Sequence, residues 1–435
     1  MSAATDTTTP GAPDAAIVNG VTWFDDRGRP VNAHGGCIVE ESGRYYLFGE
    51  YKTDDENRFI GFSCYSSPDL VTWTFERLVL GPQPDGLLGP DRIGERVKVM
   101  KCPKTGRFTM FMHTDDLTYT DAVIGRASSD TIAGDYEFHG ALTHDGEPVE
   151  GWDMGTFQDD DGTGYLVLHE GDIFTLSPDY SEVRERIAHH IAPGGESPAM
   201  FRDGDRYFLM FSHKTSWERN DNYHLSAPAP GGPWSYRGAI AARGTLTHNS
   251  QCTFVLTRHE ASGPAHMYMG DRWSFPRQAS AATYVWLPLE VRGDTVAPLD
   301  YLPAWSPATG GRAELSGEAS CREVCFVTRT PGATEEIPFE GSRIGLVGRS
   351  DPHGGYARVE IVDATTSRPL ADGLVDFYSK VADDGWRYLS PPLPPGPKRM
   401  LIRNAGEYPV WFNKAGDRFG SDDTRVHVTR VCVFD

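Results

Sequence analysis

"GRYYLFGEY", residues 43–51, is a turn followed by an aromatic, apolar strand that ends on a carboxylate. The same shape returns as "GRFTMFMHT" at 106, "GTGYLVLHE" at 162, "DRYFLMFSH" at 205 and "AHMYMGDRW" at 265. Behind four of these runs comes a second, turn-bearing element: "SSPDLVTWTF" at 66, "SSDTIAGDYEF" at 128, "LSPDYSEV" at 176 and "SAPAPGGPWSYRG" at 226. Recurrence at roughly forty to sixty residues is the period of four-stranded units set radially, so a five-bladed β-propeller is expected over residues 17–301. In that arrangement the innermost strands converge on one end of a central channel, and functional residues come from different blades.

After residue 301 the repeat stops. "LPAWSPATGGR", 302–312, reads as a linker, and from 313 to 435 segments such as "RIGLVGRS", "YARVEIVDA" and "KRMLIRNA" alternate apolar and polar residues between turns. That pattern predicts a second β-sandwich, a jelly roll. The whole 435-residue chain, with 47 Gly, 31 Pro and 11% aromatics, suits an all-β class better than helical bundles, which avoid both breakers. Residues 1–16, "MSAATDTTTPGAPDAA", carry neither a basic segment nor an apolar run and read as a disordered arm. The chain as it stands is expected to be cytoplasmic, and secreted if a leader has been removed. No run of roughly 18 apolar residues predicts a membrane helix.

A formal charge of -20 opposes a nucleic-acid partner, because phosphate binding draws on clustered Lys and Arg. The seven cysteines (37, 64, 102, 252, 321, 325, 432) are odd in number, scattered and without a CxxC pair, and read as reduced core thiols. No grouping of His, Cys and Asp has metal-ligand spacing, so neither a metal nor another cofactor is expected. The sequence leaves the oligomeric state open.

Glu50 in "LFGEYK", Glu95 in "GERVKVM", Asp153 in "GWDMGTF" and Glu196 in "GGESPAMF" each adjoin a strand-forming run. One such acid is ordinarily a solvated strand end; four at equivalent points of four blades would converge. Glu196 sits between a glycine pair and Ser-Pro, in a tight turn before an apolar strand, and is the candidate general acid. Burial among aromatics, with Trp152 and Trp217 expected, would keep its proton near neutral pH. "HNSQCTFV", 248–255, opens the fifth unit with an amide, Gln251, where a hydrolase would be expected to offer a second carboxylate.

In order along the chain, these motifs resemble glycoside hydrolase family 43, in its exo-β-1,3-galactanase branch. "AHGGCI" is similar to the branch's "AHGGGI", with Cys37 for a glycine, and Glu50 follows in "GE"; "CYSSPDLVTW" at 64–73 continues the likeness. "ERVKV" resembles "ERPKV", "WDMGTF" resembles "RDMGLF", and "ESPAMF" resembles "EAPAMF". Thr215, Ser216, Trp217 and Asn220 stand for the branch's "TGW" and following Asn, and Ser250 and Gln251 for its "SQ".

The resemblance implies hydrolysis with inversion at the anomeric carbon: Glu196 as acid, Glu95 bonding sugar hydroxyls, Glu50 and Asp153 orienting the substrate, and Gln251 positioning water or serving as an unusual base. Trp152, Trp217, Thr215 and Asn220 would line subsites. His34 would lie near the pocket floor beside Glu50, its other reading being a core histidine bonded to backbone. The expected activity is exo-acting release of galactose from β-1,3-galactan or galacto-oligosaccharides. Alternatives are a related arabinofuranosidase or galactofuranosidase, or a non-catalytic sugar-binding propeller. Residues 313–435 look similar to galactose-binding-like or carbohydrate-binding jelly rolls, with "VDFYS" at 375 and Trp386 as a sugar platform; a stabilising module is the other reading.

Overall fold

The computed structural model describes residues 16–261, 263–315 and 319–435, and these are all-β, with helix confined to short turns such as Leu246–Asn249 and Gln278–Ala281. The arm expected at 1–16 lies, but for Ala16, outside the described residues.

Five sheets follow one another up to residue 289. The first runs His34–Glu41, Arg44–Glu50, Phe62–Ser67, Thr74–Leu80 in simple antiparallel order, and the second likewise Arg92–Lys101, Phe108–Asp116, Val123–Ser129, Glu137–Ala141. The third adds a small hairpin, Thr143–His144 with Glu147–Pro148, to the outer edge of Met154–Gln158, Gly164–Leu168, Ile173–Leu176 and Val183–Ala188. The fourth is Gly195–Asp203, Arg206–His213, Tyr223–Ala227, Ser235–Ala239, and the fifth has three strands, Gln251–Glu260, Gly263–Arg272, Thr283–Leu289. Apolar side chains fill the space between neighbouring sheets, so inner strands are buried on both faces: Phe62–Ser67 and Tyr223–Ala227 are buried along their whole length.

The first strands of successive sheets pack on one another, and Gln251–Glu260 packs back on His34–Glu41, closing a ring. The N-terminal segment ties this closure. Asn19 Nδ2 donates to the carbonyls of Trp286 and Leu302 and its Oδ1 accepts from Trp286 N, while Ile17–Val18 pairs with Ala304–Trp305. Residues 302–312, expected as a linker, are thus partly built in, with Trp305 buried and donating to Trp286 O.

Each first strand that carries a site residue at its start is interrupted just beyond it. The pairing registers shift between His34 and Cys37, Glu95 and Lys98, Glu196 and Ala199, and Cys252 and Phe254. In three of them the residue after the site residue is left-handed: Gly35 (φ 62), Arg96 (φ 54) and Ser197 (φ 56). Bulges of this kind re-aim a side chain and bend the strand. At Gly35 a Cβ would also strike the Glu50 carboxylate, and at Gly36 the carbonyl of Phe48, which accounts for the glycine pair in "AHGG".

Residues 320–434 form two further four-stranded antiparallel sheets. One is ordered Ser320–Thr328, Val426–Phe434, Arg343–Ser350, Asp383–Leu389, and the other Thr334–Glu340, Pro397–Asn404, Tyr356–Asp363, Pro369–Asp376. They share one core that includes Ile337, Leu346, Val359, Met400 and Val428. Trp386 is half-buried, packed toward Phe434 at 6.1 Å; within "VDFYS", Val375 and Phe377 belong to that core and Tyr378 donates to Glu218 of the ring.

The reading of all seven cysteines as reduced is corrected: Cys321 and Cys432, facing each other across paired strands, form a disulfide. Their separation of 111 residues gave no local spacing signal. Cys37, Cys64, Cys102 and Cys252 are buried free thiols, and Cys325 is exposed. Peptide mapping without reductant is expected to recover Cys321 and Cys432 in one linked species. Because the bridge closes a long loop, the Cys321→Ser/Cys432→Ser pair is expected to lose about 2–5 kcal/mol in denaturant unfolding.

Candidate active site

The bulged strand starts converge on one buried guanidinium. Arg96 donates from Nε to Asp153 Oδ1 (3.0 Å), from Nη1 to Ser197 Oγ (2.8 Å) and from Nη2 to Gln251 Oε1 (2.8 Å), and its backbone N–H donates to Glu50 Oε1 (2.8 Å). Five sheets therefore meet through one residue that stays charged at any relevant pH. Within "ERVKV" this arginine carries no sequence signal of its own.

Glu196, partly buried, is touched by Gln251, whose Nε2 donates to Glu196 Oε1 at 3.0 Å. Burial and then the negative charge of Asp153 push the Glu196 carboxyl up to about 8, against the opposing pull of Arg96 and Lys214. Gln251 itself is saturated. Its Nε2 also donates to Ser212 Oγ (2.8 Å), and its Oε1 accepts from both Arg96 and Trp273 Nε1 (2.8 Å each). The partners fix which way the amide points: reversing it would set its NH2 against two obligate donors.

Glu95 has the opposite character. Burial works against its charge, but Lys52, His113 and Asn57 outweigh it and hold the carboxyl well below the usual range. Its Oε1 accepts from Asn57 Nδ2 (2.6 Å), Tyr119 OH (3.0 Å) and Lys52 Nζ (3.4 Å), and His113 Nδ1 lies 3.5 Å from Oε2. His113 is buried with Nε2 on Asp115 (3.2 Å); burial disfavours its charge, but Asp115 and Glu95 raise it to about 9. Glu50 pairs with Lys52 at 2.7 Å, and burial raises its carboxyl above the ordinary value despite that lysine.

Asp153 Oδ2 and His113 Nδ1 are buried with no hydrogen-bond partner. With Glu95 they place three ligand-type atoms within 4.8 Å of one another, a grouping that corrects the absence inferred from spacing. A carboxylate oxygen and an imidazole nitrogen left without partners also suit hydroxyl groups, which both donate and accept.

The other expected residues divide. His34 is buried, bonded through Nδ1 to Asp271 (3.1 Å) and stacked on Tyr284, so it supports the floor from behind. Trp152 is 39% exposed, stacked on His169 at 3.8 Å with Lys214 over its ring. Trp217 packs against Phe275 and Trp273. Thr215 and Asn220 build the loop that carries Trp217: Asn220 Nδ2 donates to Thr215 Oγ1 and to His213 O, and Asn220 Oδ1 accepts from His213 N.

Arg96, Lys52, Asn57, His113, Tyr119 and Trp273 were missed. A signal for one was present: aligned repeats set Glu50 and His113 at the same eighth position of "GRYYLFGEY" and "GRFTMFMHT", and pairing puts them opposite His34 and Glu95.

A putative exo-β-1,3-galactanase from Bifidobacterium bifidum s17 is 31% identical over 67% of this chain and 97% of its own, with a TM-score of 0.61. The exo-β-1,3-galactanase of Phanerochaete chrysosporium is 25% identical over 96% of this chain and 100% of its own (TM-score 0.71), and that of Clostridium thermocellum is 25% identical over 96% and 86% (TM-score 0.63). Among curated proteins, a β-D-galactofuranosidase of Aspergillus niger is 26% identical over 246 residues, 49% of this chain and 67% of that protein. The model of glycosyl hydrolases family 43 matches residues 32–237, within the ring that gathers Glu50, Glu95, Asp153 and Glu196, and the chain belongs to that family of glycoside hydrolases.

Proposed function

We propose that this glycoside hydrolase releases galactose, with inversion, from the non-reducing end of β-1,3-galactan or its oligosaccharides, with Glu196 as general acid. The observation that carries the assignment is the convergence of Asp153, Ser197 and Gln251 on Arg96, which sets the Glu196 carboxyl against the Gln251 amide, where burial and Asp153 push it up to about 8, while Lys52 and His113 hold Glu95 well below the usual range. The three solved galactanases support the sugar and linkage. The ring of five sheets supports a five-bladed β-propeller over 17–301, joined through 302–312 to a β-sandwich over 313–435.

In this reading Glu95 and Asp153 Oδ2 accept hydroxyls of the sugar at the cleaved bond, contacts that strengthen as the ring flattens toward the oxocarbenium-like state. Glu50, held by Arg96 and Lys52, keeps the floor in place. Gln251 has no free hydrogen-bonding position for water. An imidic form would turn its hydroxyl toward Arg96 and Trp273, both donors, so it acts as an amide that aligns the acid. The β-D-galactofuranosidase relative favours a furanosidase as second reading.

Incubation with β-1,3-galactobiose, followed by NMR, is expected to release galactose whose α-anomer appears first; turnover of a β-D-galactofuranoside with no action on galactobiose would replace the sugar assignment. The acid must be protonated, so kcat/KM is expected to fall as pH rises through about 8. Glu196→Gln is expected to lower kcat by at least ~10² on galactobiose and by less on an aryl galactoside with a good leaving group. Gln251→Glu adds a negative charge beside Glu196, which raises the acid's pKa further, so its alkaline limb should move to higher pH while measurable turnover remains. Gln251→Ala should be nearly inactive, and wild-type rates in it would remove the residue from the mechanism.

A further inference from the structure

We propose that the C-terminal pair of sheets is a working part of the catalytic site, holding Glu95 in place through two contacts from its own loops, Lys414 on Tyr119 and Glu407 on Arg277. The proposal rests on the reading of Glu95 as the sugar-binding carboxylate.

All three donors on Glu95 Oε1 come from outside regular structure, and Lys52 shares its segment with Asn57. Asn57 belongs to the segment between Arg44–Glu50 and Phe62–Ser67, and Tyr119, left-handed at φ 55, to the turn after Phe108–Asp116. A donor on a loop is placed only as well as the loop is held. The C-terminal sheets reach both loops.

The first arm runs through Arg277. Glu407 Oε2 accepts from Arg277 Nη2 and Nε (2.5 and 3.2 Å), and Arg277 Nη1 donates to Asp54 O (3.3 Å). Asp54 Oδ1 in turn accepts the backbone N–H groups of Ala279 and Ser280, both at 3.0 Å, in the turn Gln278–Ala281 that packs on strand Pro369–Asp376. The segment bearing Asn57 is thereby fastened to the C-terminal sheets three residues before Asn57. Gln278 adds a contact to Asn57 Oδ1 at 3.4 Å.

The second arm is the hairpin Val410–Phe412 with Arg418–Gly420. Its tip is closed by Asn413 and Asp417, whose side chains each accept or donate across it, and its base is anchored by buried Trp411. Lys414 Nζ donates to the carbonyl of Tyr119 at 2.8 Å and lies 5.8 Å from the centre of its ring. That fixes the backbone from which the Tyr119 hydroxyl reaches Glu95.

Both contacts are exposed, so each is worth little to stability. Their worth to catalysis is larger, since a misplacement of about 1 Å at a reacting centre costs up to about 10²-fold. This asymmetry separates a positioning role from a packing role.

The test is the full-length Lys414→Ala/Glu407→Gln double variant on β-1,3-galactobiose, with Lys414→Arg and Glu95→Gln beside it. The double variant is expected to keep its Tm within about 2 °C of wild type and to lose roughly tenfold or more in kcat/KM, with kcat carrying most of the loss, because the displaced contact matters most in the transition state. Lys414→Arg, which keeps a donor over Tyr119, is expected to stay close to wild type. Unchanged kinetic constants in the double variant, or a loss that tracks a fall in Tm, overturns the proposal. If Glu95→Gln is itself fully active, the reading of Glu95 falls and takes the proposal with it; if Glu95→Gln is impaired while the double variant is not, only the proposal falls.

Discussion

A single guanidinium, that of Arg96, decides how five sheets share one site. Buried charge is costly unless it is paired, and Arg96 meets that cost with Asp153, Ser197 and Gln251 from three other sheets, while its backbone holds Glu50 of a fourth. Removing it would leave buried carboxylates without a counter-charge, which typically costs 3–5 kcal/mol. The bulges at Glu95, Glu196 and His34 are the backbone counterpart of this constraint, because a regular strand would turn alternate side chains into the sheet-to-sheet packing.

The same charge network pulls the carboxyl groups apart chemically. Glu95 collects Lys52, Asn57, Tyr119 and a cationic His113, each of which favours its anion. Glu196 has burial and a neighbouring anion, Asp153, and only an amide within hydrogen-bonding distance. Two acids of nearly equal intrinsic strength are thus pulled in opposite directions, and on the proposed assignment this is the division that acid-catalysed glycoside cleavage uses. Placement in the ring, more than residue type, sets the roles.

Much of this was legible in the sequence, for physical reasons that can be traced. Turn-plus-strand repeats reported the sheets, because sheets packed on both faces demand continuous apolar runs. Glu50, Glu95, Asp153 and Glu196 stood out because a carboxylate beside such a run is out of place. Arg96 did not, since an arginine next to a glutamate looks like surface, and only its left-handed backbone turns it inward. Tyr119 and Asn57 lie on loops whose sequences carry no period. Asn220 and Thr215 were read toward substrate, yet their polar groups are needed to close the loop they stand in. The Cys321–Cys432 bridge depended on a strand register between segments far apart, which no local pattern encodes.

The amide at Gln251 now has a reason that a carboxylate would not satisfy. A carboxylate there could still accept from Arg96 and Trp273, but it would present an oxygen to Glu196 and Ser212 in place of N–H groups. Two facing carboxyls would then share one proton, and that proton would lie between them. An N–H donated to Glu196 Oε1 occupies that oxygen as an acceptor, so on the proposed assignment the acid's proton resides on Oε2. A neutral donor therefore selects which oxygen of the acid is protonated, at the cost of removing the second carboxylate from the fifth strand, and the burden of binding the developing charge shifts to Glu95 and Asp153.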